Sequence, residues 1–139
     1  MIEHQLEEFL RNLRVVALVG ASMKPDRASY MVGNALAARG IRVIPVNPGH
    51  AGEVLFGETV VARLADIPPE AGVELVDIFR RSEDVGQVVE EALLALPQLK
   101  LVWMQVGISN LKAAALARAQ GIVVVEDRCL MVDHARALG

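Results

Sequence analysis

The sequence predicts an α/β fold, built as a single Rossmann-like, doubly wound domain with a five-stranded, mainly parallel sheet. Short apolar runs alternate with helical segments along the whole chain, which is the pattern of repeated strand–helix–strand units. The apolar runs are nearly continuous instead of alternating, as expected for parallel strands covered on both faces. The length of 139 residues fits one domain, since domains usually hold about 100–200 residues.

The first half of the chain predicts two helices and two strands. Apolar residues at helical spacing predict an amphipathic first helix that packs on the domain. Gly40 ends the second helix, and Asn47-Pro48-Gly49 stops the second strand. In order, the elements are a helix at Ile2–Leu13, a strand at Val15–Val19, a loop at Gly20–Arg27, a helix at Tyr30–Arg39 and a strand at Ile41–Val46.

The second half predicts three more strands, each followed by a helix. Ala51–Leu64 is predicted as a loop with one short extended piece at Glu58–Val61, and Pro68-Pro69 makes a turn after it. The remaining elements are a strand at Val73–Phe79, a helix at Glu83–Leu96, a strand at Lys100–Gln105, a helix at Asn110–Gln120, a strand at Ile122–Glu126 and a helix at Leu130–Leu138.

Composition excludes several classes of partner. Fourteen Lys and Arg against seventeen Asp and Glu give a net charge of −3, whereas nucleic-acid binders carry a basic domain or stripe. The longest uncharged stretches, Ala28–Ala38 and Leu101–Leu111, have 11 residues each, too few for a bilayer that needs about 18–20.

No signal-peptide pattern opens the chain, so we expect a cytoplasmic protein. The single cysteine excludes an internal disulfide.

The chemistry of such a sheet is expected beside the carboxyl ends of its strands, at the switch point next to the first strand. The loop Gly20–Ser29 follows that strand and opens a helix, whose free amides and positive dipole end suit a phosphate. Arg27 adds a cation, while Ser22 and Ser29 add hydroxyl donors. The alternative is an ordinary strand-to-helix turn capped by Asp26 or Ser29.

Two requirements of NAD binding are absent. The loop has the sequence GASMKP, which replaces the second glycine of G-x-G-x-x-G by Ser22. The tip of the second strand, Asn47 to His50, has no acid before Glu53 to hold a ribose hydroxyl. A phosphorylated ribose would be repelled by an acid there, so the tip favours a nucleotide of that kind over NAD.

Six runs, in this order, resemble the stand-alone CoA-binding domain proteins: VALVGAS, SYMVGNAL, VIPVNP, IFRRSEDV, VWMQVGI and EDRCLMVDH. These small bacterial proteins are similar to the N-terminal domain of the succinyl-CoA synthetase α chain. The resemblance extends from about Val16 to His134. It implies a Rossmann-like domain that binds coenzyme A and has no demonstrated catalysis of its own. The synthetase's phosphohistidine lies in a second domain that this chain lacks, so its ligase activity is not carried over.

The resemblance also implies roles for individual residues. It places Gly20, Ala21 and Ser22 in the phosphate loop, Asn47 and Pro48 near the adenosine ribose, and Phe79 and Arg80 beside the adenine. It places Gln105 and Gly107 along the path of the pantetheine arm. His50 stands near the position of a synthetase lysine. With Arg27 and Ser29 from the loop, these residues form the predicted coenzyme A site.

Two hypotheses for the function follow. The first is non-catalytic binding of coenzyme A or acyl-CoA, as a sensor or as an accessory protein. The sequence does not identify a protein partner for such a role. The second is an enzyme or enzyme subunit that acts on an acyl-CoA or a nicotinamide nucleotide. Cys129 lies near Asp133 and His134, yet we expect a buried structural thiol, because free cysteine is commonly buried. The histidine positions give no metal-ligand spacing.

Overall fold

The computed structural model describes residues 1–139 and contains five α-helices and seven strands. The helices are α1 (Glu3–Arg11), α2 (Ala28–Ala38), α3 (Val85–Ala95), α4 (Leu111–Ala119) and α5 (Leu130–Leu138). The strands are β1 (Val15–Val19), β2 (Arg42–Val46), β3 (Val54–Leu55), β4 (Glu58–Thr59), β5 (Leu75–Ile78), β6 (Leu101–Met104) and β7 (Val123–Val125). No helix is both long and apolar enough to cross a membrane.

The main sheet has five strands in the order β2-β1-β5-β6-β7, and every neighbouring pair is parallel. The predicted fold class is therefore confirmed. The order reverses at β1, which lies between β2 and β5. Loops leaving the carboxyl ends of these three strands consequently diverge and open a crevice, where ligands of this architecture bind.

Side chains of each central strand point alternately to two separate cores. Val76 and Ile78 of β5 belong to the core covered by α3 and α4, whereas Leu75 faces the core covered by α1, α2 and α5. Continuous apolar runs are required because both faces of the sheet are buried. Asp77 departs from this pattern: it is fully buried on β5, and neither carboxylate oxygen has a hydrogen-bond partner.

The segment Ala51–Leu64 holds a two-stranded hairpin that the sequence did not predict as such. β3 pairs antiparallel with β4, and Val61 then bridges to Val46. The turn consists of Phe56 and Gly57, both with positive φ, although such turns usually carry Asn-Gly or Asp-Gly. A Cβ atom at Gly33 of α2 would lie 2.2 Å from the Phe56 ring, so the glycine makes room for that ring. Tertiary packing thus replaces a local turn signal.

The first helix is held on the domain by both apolar and ionic contacts. Leu6 and Leu10 are buried in the core shared with α5. Glu3 accepts a 3.0 Å hydrogen bond from Arg128, whose guanidinium also pairs with the buried Asp133 at 2.7 Å. Arg128 thereby connects α1 to the beginning of α5.

Candidate functional site

A polar cavity of about 340 Å³, here called the cationic pocket, opens between the end of β1 and the beginning of α2. Its lining contains two cations, Lys24 and Arg27, and no acidic side chain. The helix dipole and the unpaired amides of the first turn of α2 add positive potential at the same place. The lining residues are Gly20, Ser22, Lys24, Arg27, Ala28, Ser29 and Phe79.

Two serine hydroxyls shape the loop of the cationic pocket. The buried Ser29 hydroxyl accepts a hydrogen bond from the amide of Ser22 at 3.1 Å, and the Ser22 hydroxyl accepts from the amide of Lys24 at 3.1 Å. Each hydroxyl uses only its oxygen in these contacts, so its own hydrogen can be donated to an anion. The serines both build the loop and supply donors.

Gly20 is required by the close approach of two strand ends. Its φ is +88°, and a Cβ atom there would lie 2.3 Å from the carbonyl oxygen of Phe79. The side chain of Arg80 passes next to the same position, with its Cδ 3.3 Å away. The first glycine of the loop therefore brings the β1 and β5 loops into contact.

Asn47 joins the loop after β1 to the tip of β2. Its side-chain Nδ2 donates to the carbonyl of Ala21 at 2.7 Å, and its Oδ1 accepts from the amide of Gly49 at 2.9 Å. Both ends of the side-chain amide are used within the protein. The structure thus gives Asn47 a positioning role beside the crevice.

A second cavity, here called the strand-end hollow, has a volume of about 240 Å³ and lies where β1 and β2 end against α3. Val19, Val46 and Val88 supply apolar surface, whereas arginine and glutamate side chains border the hollow. The exposed Arg80 makes no ion pair, while Arg63 pairs with Asp66 at 3.3 Å. The residues that line it are Val19, Val46, Pro48, Ala62, Arg63, Arg80, Gln87, Val88 and Glu91.

A third cavity, here called the apolar groove, has a volume of about 200 Å³ and eight hydrophobic residues among its nine. Its amide side chain is Gln105, which is only 4% exposed and accepts a hydrogen bond from the amide of Leu130 through Oε1 at 3.1 Å. The other end, Nε2, has no partner in the protein. The groove is lined by Ala28, Met31, Val32, Phe79, Gln105, Val106, Ile108, Cys129 and Met131.

The three cavities are neighbours at the carboxyl ends of the strands, and together they are here called the crevice. The cationic pocket shares Ala28 and Phe79 with the apolar groove. It shares no residue with the strand-end hollow, but Gly20 of the pocket follows Val19 of the hollow in the chain, and Cδ of Arg80 lies 3.3 Å from the position of a Cβ atom at Gly20. An elongated ligand could therefore run from the hollow, through the pocket, into the groove.

Most of the predicted site residues line this crevice or support it. Those lining it are Gly20, Ser22, Arg27, Ser29, Pro48, Phe79, Arg80 and Gln105. Ala21 is buried and Asn47 is half-buried, and the hydrogen bond between them supports the crevice from behind its lining. His50 lies outside the three cavities, with its Nδ1 2.6 Å from Glu53 Oε2. Gly107 also lies outside, and its amide donates to Asp127 at 2.6 Å.

Sequence reasoning missed three charged residues of the crevice. Lys24 lies within the predicted phosphate loop, so its charge was a usable signal. Arg63 and Glu91 come from segments far from that loop, and no local pattern links them to it. Glu91 belongs to a Glu-Glu pair that is typical of a solvated helix face, yet it is half-buried and accepts from the Leu64 amide at 2.8 Å.

Cys129 differs from the expected buried thiol, because it is half-exposed and lines the apolar groove. Cys129 is the residue directly before α5, at the end of the apolar groove, and this place in the fold leaves its side chain partly exposed. His134 does not serve as its base. The His134 ring instead lies on Arg39, with Nδ1 3.1 Å from the Arg39 guanidinium. Burial and then this cation lower the pKa of His134.

No three or more His, Cys, Asp and Glu side chains lie close enough together to hold a metal ion. The arrangement instead combines hydrogen-bond donors and cations at one point with apolar surface on either side. Such a crevice can bind an anionic group that carries two less polar extensions.

The fold and the crevice define a Rossmann-like α/β protein whose cationic pocket lies at the switch point of a parallel sheet. The chain belongs to the CoA binding domain family, whose family model matches residues 14–135. This confirms the resemblance identified from the six sequence runs.

Similar proteins match over almost the whole chain. The uncharacterized protein YneT of Bacillus subtilis is 34% identical over 131 residues, which cover 94% of this chain and 93% of YneT. The structure of cell-free ID.343 from Thermus thermophilus has a TM-score of 0.91 at 37% identity and covers 99% of both chains. A hypothetical protein from Pyrococcus horikoshii OT3 has a TM-score of 0.90 at 34% identity, over 100% of this chain and 94% of that one.

Proposed function

We propose that the protein binds coenzyme A or acyl-CoA at the crevice and does so without catalysing a reaction, as a sensor or accessory protein. The observation that carries the proposal is the continuity of the cationic pocket with the apolar groove through Ala28 and Phe79. Coenzyme A carries chemical groups in the matching order, with an anionic pyrophosphate followed by a long uncharged arm. The family's name supports the same ligand.

The pyrophosphate is assigned to the cationic pocket. Lys24 and Arg27 would neutralise its charge, and the hydroxyls of Ser22 and Ser29 would donate to its oxygens. Charge-assisted hydrogen bonds of this kind are stronger than neutral ones, and the N-terminus of α2 favours an anion as well.

The adenosine end is assigned to the strand-end hollow. The tip of β2 carries no acid between Asn47 and His50, so this segment places no like charge beside a phosphorylated ribose. Arg80 makes no ion pair and is available to that phosphate. This arrangement favours coenzyme A over NAD, whose ribose hydroxyls need an acidic partner.

The pantetheine arm is assigned to the apolar groove. Because Oε1 of Gln105 faces the amide of Leu130, the Nε2 group must present its hydrogens elsewhere. Nε2 makes no hydrogen bond within the protein, so its hydrogens can be donated to a ligand in the groove. The amide and thioester carbonyls of an acyl-CoA are suitable acceptors.

The absence of catalysis is proposed from the partners of the one thiol. Cys129 lines the groove. The nearby His134 is hydrogen-bonded to Arg39, and Asp133 is hydrogen-bonded to Arg128, so neither contacts the thiol as a base. Nucleophilic catalysis by a thiol needs an adjacent general base, and neither side chain is available for that role. An enzyme acting on acyl-CoA or a nicotinamide nucleotide is the alternative, and steady turnover of an acyl-CoA would favour it.

Calorimetry can test the assignment of the arm. Val106 is 66% exposed at the groove, and Leu111 is 82% exposed outside it, so Val106→Asp and Leu111→Asp form a matched pair. We expect Val106→Asp to weaken coenzyme A binding by roughly tenfold, because a carboxylate must be desolvated or displaced. Adenosine 3′,5′-bisphosphate lacks the arm and should bind both variants alike.

Two results would contradict the proposal. Tighter binding of NAD than of coenzyme A to the wild-type protein would exclude coenzyme A as the ligand. Equal binding of coenzyme A to Val106→Asp and Leu111→Asp would exclude the groove as the place of the arm.

A further inference from the structure

The strand-end hollow contains one acidic side chain whose orientation is set by the backbone. Glu91 of α3 accepts a hydrogen bond from the amide of Leu64 through Oε1 at 2.8 Å. Its second oxygen, Oε2, has no hydrogen-bond partner in the protein. Neither Arg63 nor Arg80, which also border the hollow, forms an ion pair with it. One carboxylate oxygen is thus fixed and the other is free.

The hollow that Glu91 lines suits a flat heterocycle. Val19, Val46 and Val88 provide apolar surface for the faces of a ring, and the volume of about 240 Å³ exceeds that of a purine base. A purine carries its polar groups on its edge, so a base lying on this surface presents them to the border of the hollow. Glu91 is at that border.

We propose that Glu91 Oε2 accepts a hydrogen bond from the 6-amino group of an adenine base in the hollow. The inference rests on the proposed binding of coenzyme A and makes Glu91 a specificity-determining residue for its base. An ionised carboxylate offers acceptors only, so it favours a base edge that donates a hydrogen. A base without a 6-amino group would leave Oε2 partly desolvated and unpaired.

The first measurement compares two ligands on the wild-type protein. Coenzyme A is titrated in a calorimeter beside its purine analogue, in which hydrogen replaces the 6-amino group. We expect the analogue to bind roughly tenfold more weakly, since a hydrogen bond to a charged acceptor is lost.

The second measurement uses Glu91→Gln with Glu90→Gln as its control. In Glu91→Gln the amide oxygen can still accept from Leu64, so the Nε2 group must take the place of Oε2. The preference for adenine should then fall to about threefold or less, because Nε2 donates and cannot accept the 6-amino hydrogen. Glu90 is the exposed neighbour, and Glu90→Gln makes the same charge change while keeping the wild-type preference.

The outcomes separate this inference from the function on which it rests. Failure of wild-type protein to bind coenzyme A would overturn both. Coenzyme A binding with equal affinity for the purine analogue would overturn the role of Glu91 alone. An undiminished preference in Glu91→Gln, with a melting temperature like that of Glu90→Gln, would do the same.

Discussion

Asn47 donates a 2.7 Å hydrogen bond from its side-chain amide to the carbonyl of Ala21, across the boundary between the loop after β1 and the tip of β2. The same side chain accepts from the amide of Gly49. The loop after β1 and the tip of β2 are therefore held together by one side chain. This relationship explains how a short loop without a second glycine keeps a defined shape.

Asn47→Ala should lower the free energy of unfolding by about 1–3 kcal/mol, because two backbone groups lose their partner. Asn47→Asp keeps the acceptor for Gly49 but turns a carboxylate oxygen toward the Ala21 carbonyl, so we expect it to be at least as destabilising. Urea denaturation of both variants checks this. A wild-type midpoint in Asn47→Asp would show that the contact to Ala21 contributes little.

The cations of the cationic pocket should contribute to coenzyme A affinity in a salt-dependent way. Arg27→Ala and Lys24→Ala are each expected to weaken binding by about 1–3 kcal/mol, through loss of a charge-assisted phosphate contact. Both side chains are exposed, so the loss should shrink at high ionic strength. Lys112→Ala on α4 removes an exposed lysine outside the crevice and serves as control. Equal effects of Lys24→Ala and Lys112→Ala would contradict a specific role.

Stability should decrease on mild acidification because of His134. Burial, followed by the Arg39 cation, lowers the pKa of His134 below its ordinary value of 6.5. Below that value the unfolded chain binds a proton that the folded protein resists, so the free energy of unfolding falls with pH. His134→Gln should flatten this dependence in denaturation curves measured between about pH 7 and pH 5. His4→Gln, at an exposed position of α1, should leave it unchanged.

Asp77 should give the free energy of unfolding the opposite pH dependence, a decrease as the pH rises. Burial raises the pKa of this carboxyl well above its ordinary value of 3.8, and no hydrogen bond supports the charged form. The folded protein therefore binds the proton more tightly than the unfolded chain, and stability falls as the pH rises above 3.8 toward the folded pKa. Asp77→Asn removes the ionisation, so we expect a higher free energy of unfolding at about pH 8, where burial of a charge is most costly.

Asp26→Asn provides the matched control for Asp77→Asn, since Asp26 lies in an exposed loop. We expect it to leave the free energy of unfolding nearly unchanged. A lower stability of Asp77→Asn than of wild-type protein at that pH would show that the carboxylate has a stabilising partner in solution.

The sequence by itself determined the fold class and the loop of the cationic pocket. Val15–Val19 matched its strand at both ends because a fully buried parallel strand needs a continuous apolar run. Gly20, Ser22, Arg27 and Ser29 could be predicted as a group because they lie within one strand-to-helix connection. Chain neighbours remain neighbours in any fold, so local signals suffice for such a loop.

Only the tertiary structure decided which distant residues complete the crevice. Arg63 and Glu91 reach the strand-end hollow from a connecting segment and from α3, and the half-exposed Cys129 reaches the groove from the start of α5. The hairpin turn at Phe56 likewise depends on the space left by Gly33. Each of these positions results from packing between segments far apart in the chain, and that packing depends on the summed contacts of the whole core instead of on any local pattern.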